Sequence, residues 1–229
     1  MILLGVALAA LAAETPPESP VEAAIDEALA QPIENIEAFI CADGHRIAIT
    51  HDATAGVLHG VRDGEEFTLM QEVSRRGIAR FVNGSDSIML AGDTAWLQRS
   101  REVRQTCDRI PDQPVPGVVW GKVNAGADLV VPNRSNLKVL LVDGARADAP
   151  AVEIASTMLR TTGKQAPFWF LIRYDPNRAL APAQPALRAN LRLGRNGQRL
   201  FTDKAVSIPT DGTPAPSPVE LVLDHSTSE

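Results

Sequence analysis

Aromatic side chains are scarce in this 229-residue chain, where six Phe, three Trp and one Tyr make up 4% of the residues. Its cores must rest mainly on Val, Leu, Ile and Ala. Cysteine is rarer still: Cys41 and Cys107 are the only two. Neither belongs to a Cys-x-x-Cys pair, which argues against a zinc ribbon or a dithiol redox motif. Lys and Arg are absent from residues 1–36, which hold six acids, Glu14, Glu18, Glu22, Asp26, Glu27 and Glu34. No apolar run approaches the ~20 residues that a membrane-spanning helix needs. There is no G-x-S-x-G elbow, no H-E-x-x-H and no P-loop. The sequence therefore points away from an enzyme and asks for no cofactor.

What the chain has in quantity is punctuation. Seventeen prolines and sixteen glycines suit short strands and turns better than long helices. The net charge of −6 lies in the leading segment. Residues 37–107 carry ten acids and eight bases, and residues 108–229 carry twelve and fourteen. Both stretches are near neutral, without the basic footprint of a nucleic-acid partner.

Residues 1–13, MILLGVALAALAA, are too short to span a bilayer and have the form of a secretory signal's apolar core. The expectation is export, to the periplasm or an outer-membrane-associated site. Leu11-Ala12-Ala13 has the form of a bacterial lipobox, but Glu14 stands where the lipidated Cys would be, so lipidation there is not expected. Residues 14–36 read as an acidic linker. Within it Ser19-Pro20-Val21-Glu22 is a capping-box pattern that predicts a short helix over residues 20–30.

From Glu37 the apolar period becomes two. Phe67, Leu69, Gln71 and Val73 share one strand face, with Thr68, Met70 and Glu72 on the other. Similar runs, separated by Asp43-Gly44, Asp63-Gly64 and Asn83-Gly84 turn pairs, predict a small eight-stranded antiparallel barrel over residues 37–107. Cys41 falls on its first strand and Cys107 on its last, and in an oxidising compartment a disulfide between them would tie the ends together. Residues 108–116, DRIPDQPVP, read as a semi-rigid linker. Residues 117–224 alternate again: Leu137, Val139 and Leu141; Phe168, Phe170, Ile172 and Tyr174; Leu187, Ala189, Leu191 and Leu193. A seven-stranded β-sandwich is predicted there, with 225–229 as a tail. The stretch 151–161, AVEIASTMLRT, fits strand or helix equally. The fold class is thus all-β throughout the two regions.

The first β region resembles the membrane-bound lysozyme inhibitor of C-type lysozyme family (MliC). The shared residues are Phe39-Ile40-Cys41-Ala42-Asp43-Gly44, Gly56-Val57-Leu58, Phe67-Thr68-Leu69, Ser74 to Phe81, Gly92-Asp93-Thr94-Ala95-Trp96-Leu97 and Cys107. The resemblance implies an eight-stranded barrel with that disulfide and, in active members, a plug for a lysozyme cleft. The family's inhibitory loop reads Ser-Ala-Ser-Gly-Ala-Arg-Tyr. Here Ser74 and Gly77 match, Arg76 replaces the second Ser, Ile78 is inserted, Arg80 matches, and Phe81 replaces Tyr. A second family contact, Lys before Gly, is here Ala91 before Gly92. The partner-binding candidates are therefore Ser74, Arg75, Arg76, Gly77, Arg80, Ala91 and Gly92, with the inhibitory pattern partly lost. Arg75 and Arg76 are either substitute cations for a partner's carboxylates or solvated loop charges. The implied partner is a lysozyme-like glycoside hydrolase or another envelope protein.

The second β region resembles the YbaY/YscW lipoprotein family. The matching residues are Val115-Pro116-Gly117-Val118-Val119-Trp120, Leu137 to Asp143, Ala147-Asp148-Ala149-Pro150, Gly163-Lys164-Gln165-Ala166-Pro167-Phe168, Leu187 to Leu193 and Leu200-Phe201-Thr202-Asp203. The resemblance implies a periplasmic β-sandwich, and one branch of the family contains pilotins that assist secretion assembly. His45, His51 and His59 are the best metal candidates, but they read better as separate surface histidines, and no metal is expected. Asp148 and Asp203 read as turn residues that bond local amides. Lys164 reads as a loop-facing charge.

Overall fold

A computed structural model describes residues 36–75, 78–100, 102–126, 128–144, 151–195, 197–202 and 204–224, with backbone alone at 73–75. The leader, the acidic segment with its expected helix, Asp148, Asp203 and the 225–229 tail lie outside the described residues. Those described belong to one compact unit, Asn35–Glu229. They form two β bodies with no α-helix among them, and one 3-10 turn spans Pro176–Ala179. Among the described residues no helix is long and apolar enough to cross a membrane.

The first body is a closed antiparallel barrel of eight strands in sequence order. They are β1 (Glu37–Cys41), β2 (Arg46–Asp52), β3 (Val57–Arg62), β4 (Glu65–Arg75), β5 (Ile78–Asn83), β6 (Asp86–Ala91), β7 (Thr94–Gln98) and β8 (Gln105–Arg109). Alternation drives one side chain in two inward. Phe39, Ile47, Leu58, Leu69, Phe81, Ile88 and Leu97 fill the interior at no more than 2% exposure, each burial worth about 1.5–3 kcal/mol. Gly60 faces Phe67 across β3 and β4. A Cβ there would lie 2.2 Å from the Phe67 ring, so the bare backbone makes room for the aromatic. β8 closes on β1 with Cys41 opposite Cys107, and the two are disulfide-bonded across a separation of 66 residues.

The second body runs β9 (Val118–Asn124), β10 (Asn136–Asp143), β11 (Val152–Arg160), β12 (Phe168–Arg173), β13 (Pro185–Arg192), β14 (Arg199–Thr202), β15 (Val206–Ser207) and β16 (Val219–Asp224). Seven of these follow the path β11-β10-β13-β14-β16-β9-β12, with β15 beside β13. The end strands β11 and β12 come into contact. The sheet thus wraps one core that includes Leu137, Val139, Leu141, Phe168, Phe170 and Leu187. Every pair is antiparallel except β16 with β9, which is parallel. Residues 152–160, ambiguous in the sequence, are strand. Ile154 is the extra residue of a bulge, since Glu153 and Ala155 pair with the adjacent Val142 and Leu141.

The proline-rich segment departs from the expected spacer. β8 continues through Asp108 and Arg109, which pair with Ile40 and Phe39 of β1. Ile110 then packs with Ile40, Val118 and Leu171 in a small shared core. An apolar residue at 110, next to two outward apolar strands, takes the chain onto the barrel wall rather than into solvent.

Candidate functional site

The barrel meets the second body through the turns at one of its ends. The Asp43-Gly44 turn joins β1 to β2, and Gly44 takes the left-handed φ of +85° that the turn requires. Its carbonyl accepts the Trp169 N–H at 2.9 Å, and the Ala42 carbonyl accepts the Arg160 N–H at 3.4 Å. A hairpin turn thereby becomes a backbone splice to β11 and β12, which buries Asp43 to 1% exposure.

A buried carboxylate needs partners. Asp43 Oδ1 accepts the His45 N–H at 3.2 Å. Its Oδ2 lies 3.5 Å from Arg62 Nη2 and 3.8 Å from His45 Nε2. Arg62 Nη1 pairs with Glu102 Oε2 at 2.7 Å. The next turn supplies Asp63, whose Oδ2 meets His45 Nδ1 and lies 3.0 Å from Lys164 Nζ of the second body. Partial burial pushes the Asp63 carboxyl up. Hydrogen bonds from His45 and Lys164, with the Lys164 charge, outweigh it and hold the group at about 2. Of these side chains, His45, Arg62, Asp63, Glu102 and Lys164 line a cleft of about 590 Å³.

Lys164, read from the sequence as a loop-facing charge, faces the barrel. Its side chain is 8% exposed and crosses from the second body to the barrel. The motif around it divides the work. Gly163 adopts φ +99° beside Asn133, and the Gln165 amide bonds both the N–H and the carbonyl of Val131, at 2.8 and 3.1 Å. Gln165 fixes the loop that aims Lys164. Trp169 adds to the junction, with the Arg46 guanidinium 5.1 Å from its ring and Trp120 6.1 Å away.

The Lys164–Asp63 pair makes the cluster a joint between the two bodies. The histidines are dispersed. His45 belongs to the joint, His51 stands edge-on to Phe81 at 4.8 Å, and His59 Nδ1 lies 3.2 Å from Thr68 Oγ1. Among the described residues no three His, Cys, Asp or Glu converge as a metal group.

Strands alternate direction, so the backbone of Ser74 and Arg75 at the end of β4 and the β6–β7 turn at Gly92 lie at the barrel end away from the joint. Arg76, Gly77 and the side chains of Ser74 and Arg75 lie outside the description. Arg80 is half-exposed and held by Glu72 at 2.6 Å. Phe81 is fully buried in the barrel core. Ala91 pairs with Thr94 beside Gly92, whose φ is +56°.

The site that sequence reasoning missed is the joint itself. Asp43-Gly44 and Asp63-Gly64 carry a turn signal, and that signal is silent about what a turn will pack against. The available hint was Lys164 inside a motif of otherwise structural residues.

Comparison with known proteins covers the second body. Residues 115–221 match the family described as type III secretion system lipoprotein chaperone (YscW). An uncharacterised lipoprotein, YbaY, of Escherichia coli K12 is 36% identical over 94 residues, 41% of this chain and 43% of that protein. The matched region thus spans less than half the length of that curated relative. Among solved structures, an alternative pilotin from the type II secretion system of Vibrio cholerae is 26% identical. That match covers 47% of this chain and 96% of the pilotin, at a TM-score of 0.39. From Val115 to Leu221, then, this chain carries a YscW-like domain, related in sequence to a bacterial lipoprotein.

Proposed function

We propose that this chain is a non-enzymatic envelope protein that assists the assembly of another envelope protein through its second β body. The observation that carries this reading is the YscW match, which takes in the whole of that body from before β9 into β16. The name of that family is that of a lipoprotein chaperone, and the related E. coli protein is named as a lipoprotein. The joint is in keeping with the same reading, because the Lys164–Asp63 pair ties the two bodies into one scaffold. Crosslinking in intact cells, with the tagged full chain as bait, tests it. One envelope protein should be recovered reproducibly, and its mature oligomer should fall when this chain is deleted. A recovered partner that assembles equally well without the chain contradicts the proposal.

The barrel favours a second reading, as a binding module related to the C-type lysozyme inhibitors. Its closed eight-stranded form, the Cys41–Cys107 bond and a turn end free of the joint fit a plug-like binder. Arg80 engaged by Glu72 and Ala91 at the Lys position leave that binder few cations for a lysozyme's carboxylates. Lysozyme inhibition assayed with the purified chain separates the readings.

A further inference from the structure

The outer face of the second sheet is organised in rows across four strands. Arg160 of β11 lies opposite Asn136 of β10, Asn136 opposite Arg192 of β13, and Arg192 opposite Arg199 of β14. The next row holds Met158, Lys138, Asn190, Phe201 and, on β16, Asp224. A third row holds Ser156, Leu140 and Arg188. These residues face out because their neighbours Leu137, Val139, Leu159, Leu187, Leu191 and Leu200 face the core.

Two features mark this face. Arg192 and Arg199 are direct cross-strand neighbours, which concentrates like charge along one row. Large apolar side chains stand beside them in solvent, with Met158 60% exposed, Phe201 44% and Val222 of β16 55%. Leu140, Val142, Arg188, Asn190 and Phe201 line a groove of about 430 Å³ on the same face. The three rows carry five cations; Lys138 is paired with Glu153 of β11 at 2.6 Å, which leaves four arginines beside Asp224 on this face, although the chain as a whole has a net charge of −6.

We propose that this face docks on an anionic lipid surface. The arginine row meets headgroup phosphates, and Met158 and Phe201 enter the boundary between headgroups and acyl chains. Arg suits phosphate through its planar fork of donors, and adjacent strands about 4.8 Å apart spread the guanidinium groups over several headgroups. Peripheral binding combines buried apolar area with attraction to anionic lipid. A free phosphate or a soluble polyanion would use the arginines and leave Met158 and Phe201 wet, so the lipid surface accounts for both features.

Vesicle flotation with the full chain tests the proposal. Vesicles of phosphatidylglycerol with phosphatidylcholine are compared with phosphatidylcholine alone at physiological salt. Residues 1–36 contain no Lys or Arg, so insertion by that segment gives no preference for anionic lipid, and the preference reads the sheet face. Wild type should favour the anionic vesicles. Arg160→Ala with Arg199→Ala should weaken anionic binding by about tenfold or more. Met158→Ser with Phe201→Ser should also weaken it while retaining the anionic preference. Unchanged thermal midpoints confirm that these surface variants are folded. No anionic preference in wild type, or a preference that survives the double arginine change, overturns the proposal. So does equal binding to a single-stranded oligonucleotide combined with no effect of the Met158 and Phe201 changes, which would mark a polyanion site instead.

Discussion

Lys164 Nζ lies 3.0 Å from Asp63 Oδ2 and joins a loop of the second β body to a turn of the barrel. The Lys164 side chain is nearly buried while Asp63 keeps partial solvent access and is shared with His45. Lys164→Met should cost about 2 kcal/mol, since a charge-assisted bond is lost and Asp63 is left with one partner fewer. Urea unfolding monitored at the tryptophans, with Trp169 at the same joint, reads the effect. A change within experimental error would mean that the shared apolar core alone holds the bodies together.

The same pair sets a pH dependence. Asp63 is held at about 2 in the folded chain against an ordinary 3.8, so the unfolded chain takes up its proton first as pH falls. Its contribution, about 1 kcal/mol once solvent screening of this part-exposed carboxylate is allowed for, is complete above about pH 5 and is lost as pH falls through the folded value. Asp63→Asn should flatten the acid limb of the stability curve between about pH 5 and pH 2. An unaltered acid limb in that variant contradicts the assignment.

The disulfide closes a loop of 66 residues. Replacing Cys41 and Cys107 by Ala should destabilise the barrel by about 4 kcal/mol through the freedom returned to the unfolded chain. Denaturant titration of the oxidised protein and the double variant gives the difference. Equal midpoints would place the barrel's stability elsewhere.

Gly121 carries the parallel pairing that closes the second sheet. A Cβ at this position would lie 1.9 Å from the Val219 carbonyl oxygen, and a backbone group in a paired strand cannot step aside. Gly121→Ala should cost about 3 kcal/mol, at the upper end of overpacking effects. Hydrogen exchange should speed first at β9 and β16. An alanine variant as stable as the wild type would mean that β16 tolerates displacement.

C-type lysozyme should be inhibited weakly or not at all. Loss of charge-assisted contacts at such a centre costs roughly 2–5 kcal/mol, enough to move a nanomolar inhibitor to micromolar or beyond. Inhibition at nanomolar concentration would contradict this and direct attention to Arg75 and Arg76. Arg75→Ala with Arg76→Ala should then abolish it while the fold stays intact.

Much of the fold was legible because strand alternation is a local signal. Leu137, Val139 and Leu141, and likewise Leu187, Ala189 and Leu191, are inward-facing as their spacing requires. Residues 151–161 resisted reading for a physical reason. The bulge at Ile154 switches the inward parity, so Ile154 and Leu159 are both buried although they stand five apart. The parallel β16–β9 pair and the charged joint depend on how distant segments pack. Asp63-Gly64 reads as a turn whether its carboxylate faces water or Lys164. The candidates at 74–77 rested on resemblance to a family rather than on any pattern in the residues themselves.

The central claim is that the YscW-like body assists assembly of an envelope partner. The most direct measurement is the amount of that partner's mature oligomer in cells lacking this chain. Each deletion strain is complemented with wild type, with Gly121→Ala or with the Arg75→Ala, Arg76→Ala variant. Recovery is expected with wild type and with the barrel-loop variant, and reduced recovery with Gly121→Ala. Full assembly in the uncomplemented strain, or full recovery with a destabilised Gly121→Ala protein, would contradict it.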